Sequence, residues 1–210
     1  MQLEFGCIFY CELIRKKIKN IDIKLASKSP RRHQLLRNII KNFEIVSKEI
    51  DESYPKSLKA SEIALYLANL KAKSYEKEAK ENQLYITADT IVVYKQKVLG
   101  KPKNVKDAFN MLQELSGNTH TVYTGVSLLF NEENNSFIDA TEVTFYDLSE
   151  EEIKFYIDHY KPMDKAGSYG IQEWMGYVGV KKMEGDFFNV MGLPLHRLYR
   201  EIEKIISKKN

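Results

Sequence analysis

Ile21-Asp22-Ile23-Lys24-Leu25-Ala26-Ser27-Lys28-Ser29-Pro30-Arg31-Arg32 is the stretch that decides the fold. Ile21, Ile23 and Leu25 alternate with polar residues, the period of a half-buried strand. Ser29 then offers an N-cap and Pro30 suits a first helical position, while Leu35, Leu36, Ile39 and Ile40 form the apolar stripe of a short helix. A strand that runs through a short turn into a helix exposes the helix's free N–H groups and positive dipole end, which together favour an anion. Arg31 and Arg32 oppose that dipole at a penalty of roughly a few tenths of a kcal/mol each. Their placement makes sense if a polyanion reverses the local sign; the alternative is a solvated basic helix start.

Working outward, strands and helices alternate. Residues 43–50 read as a strand, followed by the acidic patch Asp51-Glu52, and a longer helix spans about 58–80. Leu84 to Leu99 holds two strand-like runs, with Asp89-Thr90 inside the first. Asn104 with Asp107 resembles a helix start and Gly117 a stop for the stripe Val105, Ala108, Met111, Leu112 and Leu115. Residues 121–147 suggest a hairpin turning at Asn134-Asn135, and Ser149 with Glu152 makes a capping box for a helix ending near Tyr160. A glycine-containing loop, 164–172, precedes a last hairpin around Glu184-Gly185, and a helix from Pro194 closes the pattern. The class is therefore α/β with a mixed sheet and flanking helices. Residues 1–20 read as an N-terminal extension of unknown role, and 21–210 as one domain.

Composition bounds the function. With 43% hydrophobic residues among 210, disordered and fibrous classes are excluded. A chain of this mass buries about 70% of its unfolded surface, enough for a core without disulfide or metal staples. The net charge of +3, from 32 basic and 29 acidic side chains, is too small for a nucleic-acid footprint. No apolar run approaches the roughly 20 residues of a membrane span. Phe5 to Ile14 lacks the basic flank and cleavage site of a signal peptide. Only Cys7 and Cys11 occur; they indicate a reducing compartment, lack the partner ligands of a zinc site and read as simply buried. A cytoplasmic protein with no nucleic-acid or membrane partner is expected. The four histidines (33, 120, 159, 196) have no metal spacing and read as structural. Only six of the 32 basic residues are arginine, and two of those are the adjacent pair Arg31-Arg32.

Asp89 lies in Tyr85-Ile86-Thr87-Ala88-Asp89-Thr90-Ile91-Val92-Val93, a run apolar enough to be a buried strand. An ionised carboxylate there is expensive unless paired or metal-bound. It reads as a general base or metal ligand ahead of a strand-end Asp satisfied by backbone N–H groups. Lys101, held between Gly100 and Pro102, follows as a stiffly presented charge.

Six segments in register then carry a resemblance. They are Leu25-Ala26-Ser27-Lys28-Ser29-Pro30-Arg31-Arg32, Ala88-Asp89-Thr90, Gly100-Lys101-Pro102, Leu115-Ser116-Gly117 with His120, Thr124 and Gly125, Asp164 to Gln172, and Val190-Met191-Gly192-Leu193-Pro194-Leu195. In this order the chain resembles the Maf family of nucleoside triphosphate pyrophosphatases. The resemblance implies an elongated α/β fold similar to the inosine triphosphate pyrophosphatases, with two lobes around a cleft. It implies Asp89 as proton acceptor, and Ser27, Arg31, Arg32, Glu52, Lys71 and Lys101 along the phosphate and metal cleft. Asp51 is the alternative to Glu52. Ala-Asp-Thr with Gly-Ile-Gln is similar to the subgroup acting on dTTP and UTP, tying Arg32, Thr90 and Gln172 to base choice; the resemblance implies that a subgroup acting on 7-methyl-GTP carries a different residue after the aspartate and lacks this glutamine. A glutamine amide can match the O4 and N3–H edge of uracil or thymine. The resemblance further implies a divalent cation, Mg²⁺ by its ligand chemistry and held by Glu52 and Asp89, and a homodimer. A non-catalytic nucleotide-binding protein linked to septation is the rival reading. Where the family often carries small residues after Gln172, Glu173-Trp174-Met175 stand here, which reads as bulk at the pocket rim. Trp174 itself reads either as a base-stacking platform or as rim or core packing.

Overall fold

The computed structural model describes residues 17–207. The readings of Cys7, Cys11, the apolar stretch Phe5–Ile14 and all but the end of the extension fall outside the described residues.

Among the described residues, one mixed sheet of seven strands organises the fold. β1 (Asp22–Ala26) runs parallel to both β2 (Glu44–Val46) and β3 (Gln83–Tyr94). The rest of the sheet is antiparallel: β4 (Lys97–Leu99) and β5 (Thr119–Phe130) flank β3, β6 (Glu133–Phe145) follows β5, and β7 (Val180–Glu184) closes the edge. The helices are α1 (Pro30–Arg37), α2 (Ala60–Lys73), α3 (Val105–Leu115), α4 (Glu150–Tyr160), α5 (Trp174–Val178), α6 (Phe187–Met191) and α7 (Leu195–Ser207).

β3 sets the position of the site. β1 pairs with its first half, Gln83 to Ile86, and β4 with its end, Val92 to Tyr94. Both lie on one edge, so Thr87 to Ile91 has no strand partner there. The period of two sends successive side chains to opposite faces. Thr87 and Asp89 point toward α2, whereas Ala88 and Thr90 point toward the layer of α1, α6 and α7. A cleft that wraps the bare edge can therefore reach both Asp89 and Thr90.

The layer carrying α1, α6 and α7 contains one large core, in which Leu25, Leu35, Leu36, Ile86, Leu128, Leu198 and Ile202 pack together. A second core gathers Val92, Leu112, Leu115, Phe145, Ile153, Tyr156 and Met175 under α3, α4 and α5. Met191 touches both. The two cores are the bodies of two lobes, and Thr90, Thr124 and Asn189 form a polar seam where they meet. On the opposite face α2 lies very close to β5. A Cβ at Gly125 would sit 2.4 Å from the Ala64 carbonyl oxygen, so only glycine permits this approach.

Several element boundaries depart from the sequence reading. The β5–β6 hairpin turns at Asn131-Glu132, not Asn134-Asn135, because both loop residues take positive φ, 49° and 68°, as a two-residue hairpin requires. Asn134 instead sits in β6, bonded to Ser127 and Asn69. No hairpin forms at Glu184-Gly185: β7 pairs with β6, and Asp186 caps α6 by accepting from the N–H groups of Phe188 and Asn189 at 3.0 and 3.2 Å. The 43–50 strand contracts to three residues. The 58–80 helix stops at Lys73, where Ser74 Oγ donates to the Lys71 carbonyl. α1 ends at Arg37, though Ile40 is still buried by the turn that follows. Asn104 capping α3 and the Ser149–Glu152 box of α4 form as the sequence indicates. Among the described residues no helix is long and apolar enough to cross a membrane.

Candidate active site

A cleft of about 810 Å³ opens at the bare edge of β3, between the end of β1, the start of α1 and the 164–172 loop. Ser27, Arg31, Arg32, Glu52, Lys71, Asp89, Thr90, Lys101 and Gln172 all line it. The fold thus brings together every residue that the sequence singled out for the site.

The turn between β1 and α1 is built by its own serines. Ser27 Oγ accepts from the Ser29 N–H at 3.1 Å, and His33 Nε2 lies 2.7 Å from the Ser27 carbonyl oxygen, to which it donates. Ser29 makes no side-chain cap; Ser27 does the turn-forming work instead. No acidic residue shares the first turn of α1, so its dipole end stays electropositive.

Asp89 and Glu52 converge on one ammonium. Lys71 Nζ, projecting from α2, lies 2.5 Å from Asp89 Oδ1 and 3.1 Å from Glu52 Oε1. Asp51 turns away to accept from the Ser53 N–H and hydroxyl. Of the two acidic candidates, Glu52 is the one at the cleft. Two carboxylates converging where a cation already sits form a hard-oxygen donor set that suits Mg²⁺, with phosphate and water oxygens completing the shell. Among the described residues, three potential ligands with atoms within 4.8 Å of one another, Asp139, Asp186 and His196, lie outside the cleft lining.

The two arginines are held differently. Arg31 Nη1 donates to Asp164 Oδ2 at 2.7 Å, bridging the α1 wall to the 164–172 loop. Burial would raise the Asp164 carboxyl, but hydrogen bonds from Lys165 and Arg31 outweigh it and hold its pKa at about 2. Arg32 donates through Nε to the Gly192 carbonyl at 2.8 Å and through Nη2 to Thr90 Oγ1 at 3.0 Å. Burial lowers the Arg32 pKa, while the charges of Asp89 and Glu52 act to raise it. Gly192 takes φ 110°, a conformation open to glycine, and a Cβ there would meet Thr90 Oγ1 at 3.3 Å. Lys101 makes no ion pair with a described residue, and Gln172 Oε1 is buried at the cleft without a hydrogen-bond partner.

The chain is similar to known proteins. Residues 22–205 match the family described as Maf-like protein. The chain belongs to this family. A dTTP/UTP pyrophosphatase of Flavobacterium johnsoniae is 48% identical over 92% of this chain and 100% of its own length. One from Phocaeicola vulgatus is 51% identical over 90% of this chain and 99% of its own, and one from Cytophaga hutchinsonii 50% identical over 90% and 87%. The fold is shared with the Ham1 protein of Staphylococcus aureus, at TM-score 0.50 and 14% identity over 86% of this chain and 99% of that one.

Within this Maf-like site, three features escaped the sequence reading. Lys165, only 7% exposed, lines the cleft between Asp164 at 2.8 Å and Glu173 at 3.2 Å. Its signal was a charge pair inside a glycine-bearing loop. Glu173 does not crowd the rim: it faces inward to Lys165 and accepts from the Tyr156 hydroxyl at 2.5 Å. Trp174 and Met175 likewise lie off the cleft, against the second core, with Trp174 edge-on to Phe155. The expected bulk at the rim is corrected accordingly; α5 begins at Trp174 and carries these side chains away from Gln172.

Proposed function

We propose that this chain is a nucleoside triphosphate pyrophosphatase that hydrolyses dTTP and UTP between the α- and β-phosphates, giving the monophosphate and pyrophosphate. The observation that carries this reading is the Lys71-bridged pair Asp89 and Glu52 in one cleft with Arg31 and Arg32. Relatives about half identical over nearly their whole length bear the name dTTP/UTP pyrophosphatase, which supports the same substrates here.

In this mechanism Asp89 orients the attacking water and takes its proton. Oxygen from that water forms the new bond to phosphorus as the bridging anhydride oxygen leaves with pyrophosphate. Arg31, Arg32, Lys71 and Lys101 hold the triphosphate and spread its growing negative charge, a positioning and electrostatic role. Ser27 shapes the turn that brings backbone N–H groups to the phosphates. Glu52 and Asp89 would hold a Mg²⁺ ion, which supplies charge neutralisation at the phosphate oxygens. Arg32 also reaches Thr90, and together with Gln172 these residues recognise the base, the Gln172 amide N–H groups donating to O4 of a thymine or uracil. The setting proposed is a cytoplasmic enzyme with one catalytic domain over residues 21–210, and the continuous sheet from β1 to β7 supports the single domain.

Pyrophosphate release measured against dTTP, UTP, 7-methyl-GTP and the remaining standard triphosphates, with and without Mg²⁺, tests the reading. Turnover of dTTP and UTP above the others is expected. Preference for 7-methyl-GTP would overturn the base assignment, and binding without any release would favour a non-catalytic nucleotide-binding protein.

A further inference from the structure

The polar seam between the two cores is a single directed chain of hydrogen bonds. Thr124 Oγ1 lies 2.9 Å from the Asn189 carbonyl oxygen. A carbonyl only accepts, so the one hydroxyl proton of Thr124 points there. Thr124 and Thr90 are direct cross-strand partners on β5 and β3, with hydroxyl oxygens 2.9 Å apart. With the Thr124 proton committed, Thr90 must donate to Thr124. Thr90 then accepts from Arg32 Nη2 at 3.0 Å. Every proton from guanidinium to carbonyl therefore points the same way.

Asn189 is itself fixed. It is fully buried, and its Nδ2 donates to the Val122 carbonyl at 3.0 Å and to Thr141 Oγ1 at 2.9 Å. Thr124 is also fully buried and is absent from the cleft lining, while Thr90 and Arg32 both line it. The consequence falls on the cleft. Thr90 has no hydrogen to offer a ligand, only its remaining lone pair and its methyl group.

We propose that Thr124, held by the Asn189 carbonyl, is a positioning residue that fixes Thr90 as an acceptor and so favours a pyrimidine that carries a hydrogen on N3 over one whose N3 is a lone pair. This rests on the pyrimidine reading above and deepens it. Uracil and thymine carry N3–H, whereas N3 of cytosine is an acceptor. Thr124 thereby contributes to rejecting cytosine nucleotides without touching them.

The test compares kcat/KM for UTP and CTP in the wild type, Thr124→Val and Thr124→Ser, with melting midpoints recorded for each. Thr124→Val keeps the shape but removes the hydroxyl, freeing the Thr90 proton to turn into the cleft. The UTP:CTP ratio is expected to fall about tenfold or more in Thr124→Val, mainly through KM, and to return in Thr124→Ser. An unchanged ratio, or an equal loss on both nucleotides, would overturn the proposal, because a purely structural role lowers activity without moving selectivity. If Thr124→Val does not fold, Thr124→Ala decides, since it removes the same hydroxyl with less bulk and must move the ratio in the same direction. A wild type that releases no pyrophosphate from UTP or dTTP sinks the pyrimidine reading and this proposal together. A wild type selective for UTP with an unmoved Thr124→Val sinks only the proposal.

Discussion

Lys71 Nζ lies 2.5 Å from Asp89 Oδ1, on the α2 face of β3, and its other contact is Glu52. The ammonium and the two carboxylates neutralise one another only in part, leaving a net negative point beside a strongly positive α1 wall. Asp89→Asn preserves size and the hydrogen bond from Lys71 but removes the base. Pyrophosphate release at saturating Mg²⁺ is expected to fall by about 10²- to 10⁴-fold with the melting midpoint retained. Full turnover by this variant would remove Asp89 from the proton-transfer role.

On the proposed function, Asp164 competes with the substrate for Arg31. Their 2.7 Å ion pair links the α1 wall to the 164–172 loop, and a phosphate must share or displace that carboxylate. Asp164→Asn keeps the loop's shape while removing the rival charge. KM for dTTP should drop about two- to fivefold, the range of a partly exposed pair, with little change in kcat. A raised KM would mean that the ion pair assembles the cleft instead of opposing the ligand.

Much of this site was legible in the sequence because local chemistry marked it. A charged residue in an apolar strand singled out Asp89, and paired arginines at a helix start singled out Arg31 and Arg32. Capping signals placed α3 and α4 at their observed starts. What the sequence concealed depended on distant partners. The inward turn of Glu173 exists because Lys165 and Tyr156 lie beside it in space. The role of Thr124 depends on register, since only the alignment of β3 with β5 places it against Thr90. The hairpin turn was misplaced because Asn134-Asn135 looks like turn chemistry, whereas the backbone turns at Asn131-Glu132.

Gly125 controls how near α2 comes to β5, beside Asp89. It is paired in register with Asp89, and a Cβ there would lie 2.4 Å from the Ala64 carbonyl oxygen. Gly125→Ala must push α2 off β5, and α2 carries Lys71. Thermal unfolding should show a loss of about 1–3 kcal/mol, and kcat should fall more than the stability change alone explains. A destabilised variant with wild-type kcat would show that the Lys71–Asp89 spacing tolerates movement of the helix.

His120 makes the fold sensitive to acid. Burial lowers its pKa from 6.5 to about 4, its Nε2 meets the Tyr169 hydroxyl at 2.7 Å, and its Nδ1 has no partner. The rings of Phe145 and Tyr169 pack edge-on against it, leaving no room to solvate a cation. Between pH 6.5 and 4 the unfolded chain therefore binds a proton that the folded chain refuses. Stability is fully present above that window and is lost as pH falls through it. Urea unfolding at pH 7.5 and pH 5 should show the wild type losing on the order of 2 kcal/mol more than His120→Phe across that interval. The readout is the difference in pH dependence, so a lower absolute stability of His120→Phe does not obscure it. Equal losses in the two proteins would show that the imidazole takes up its proton without unfolding the core around it.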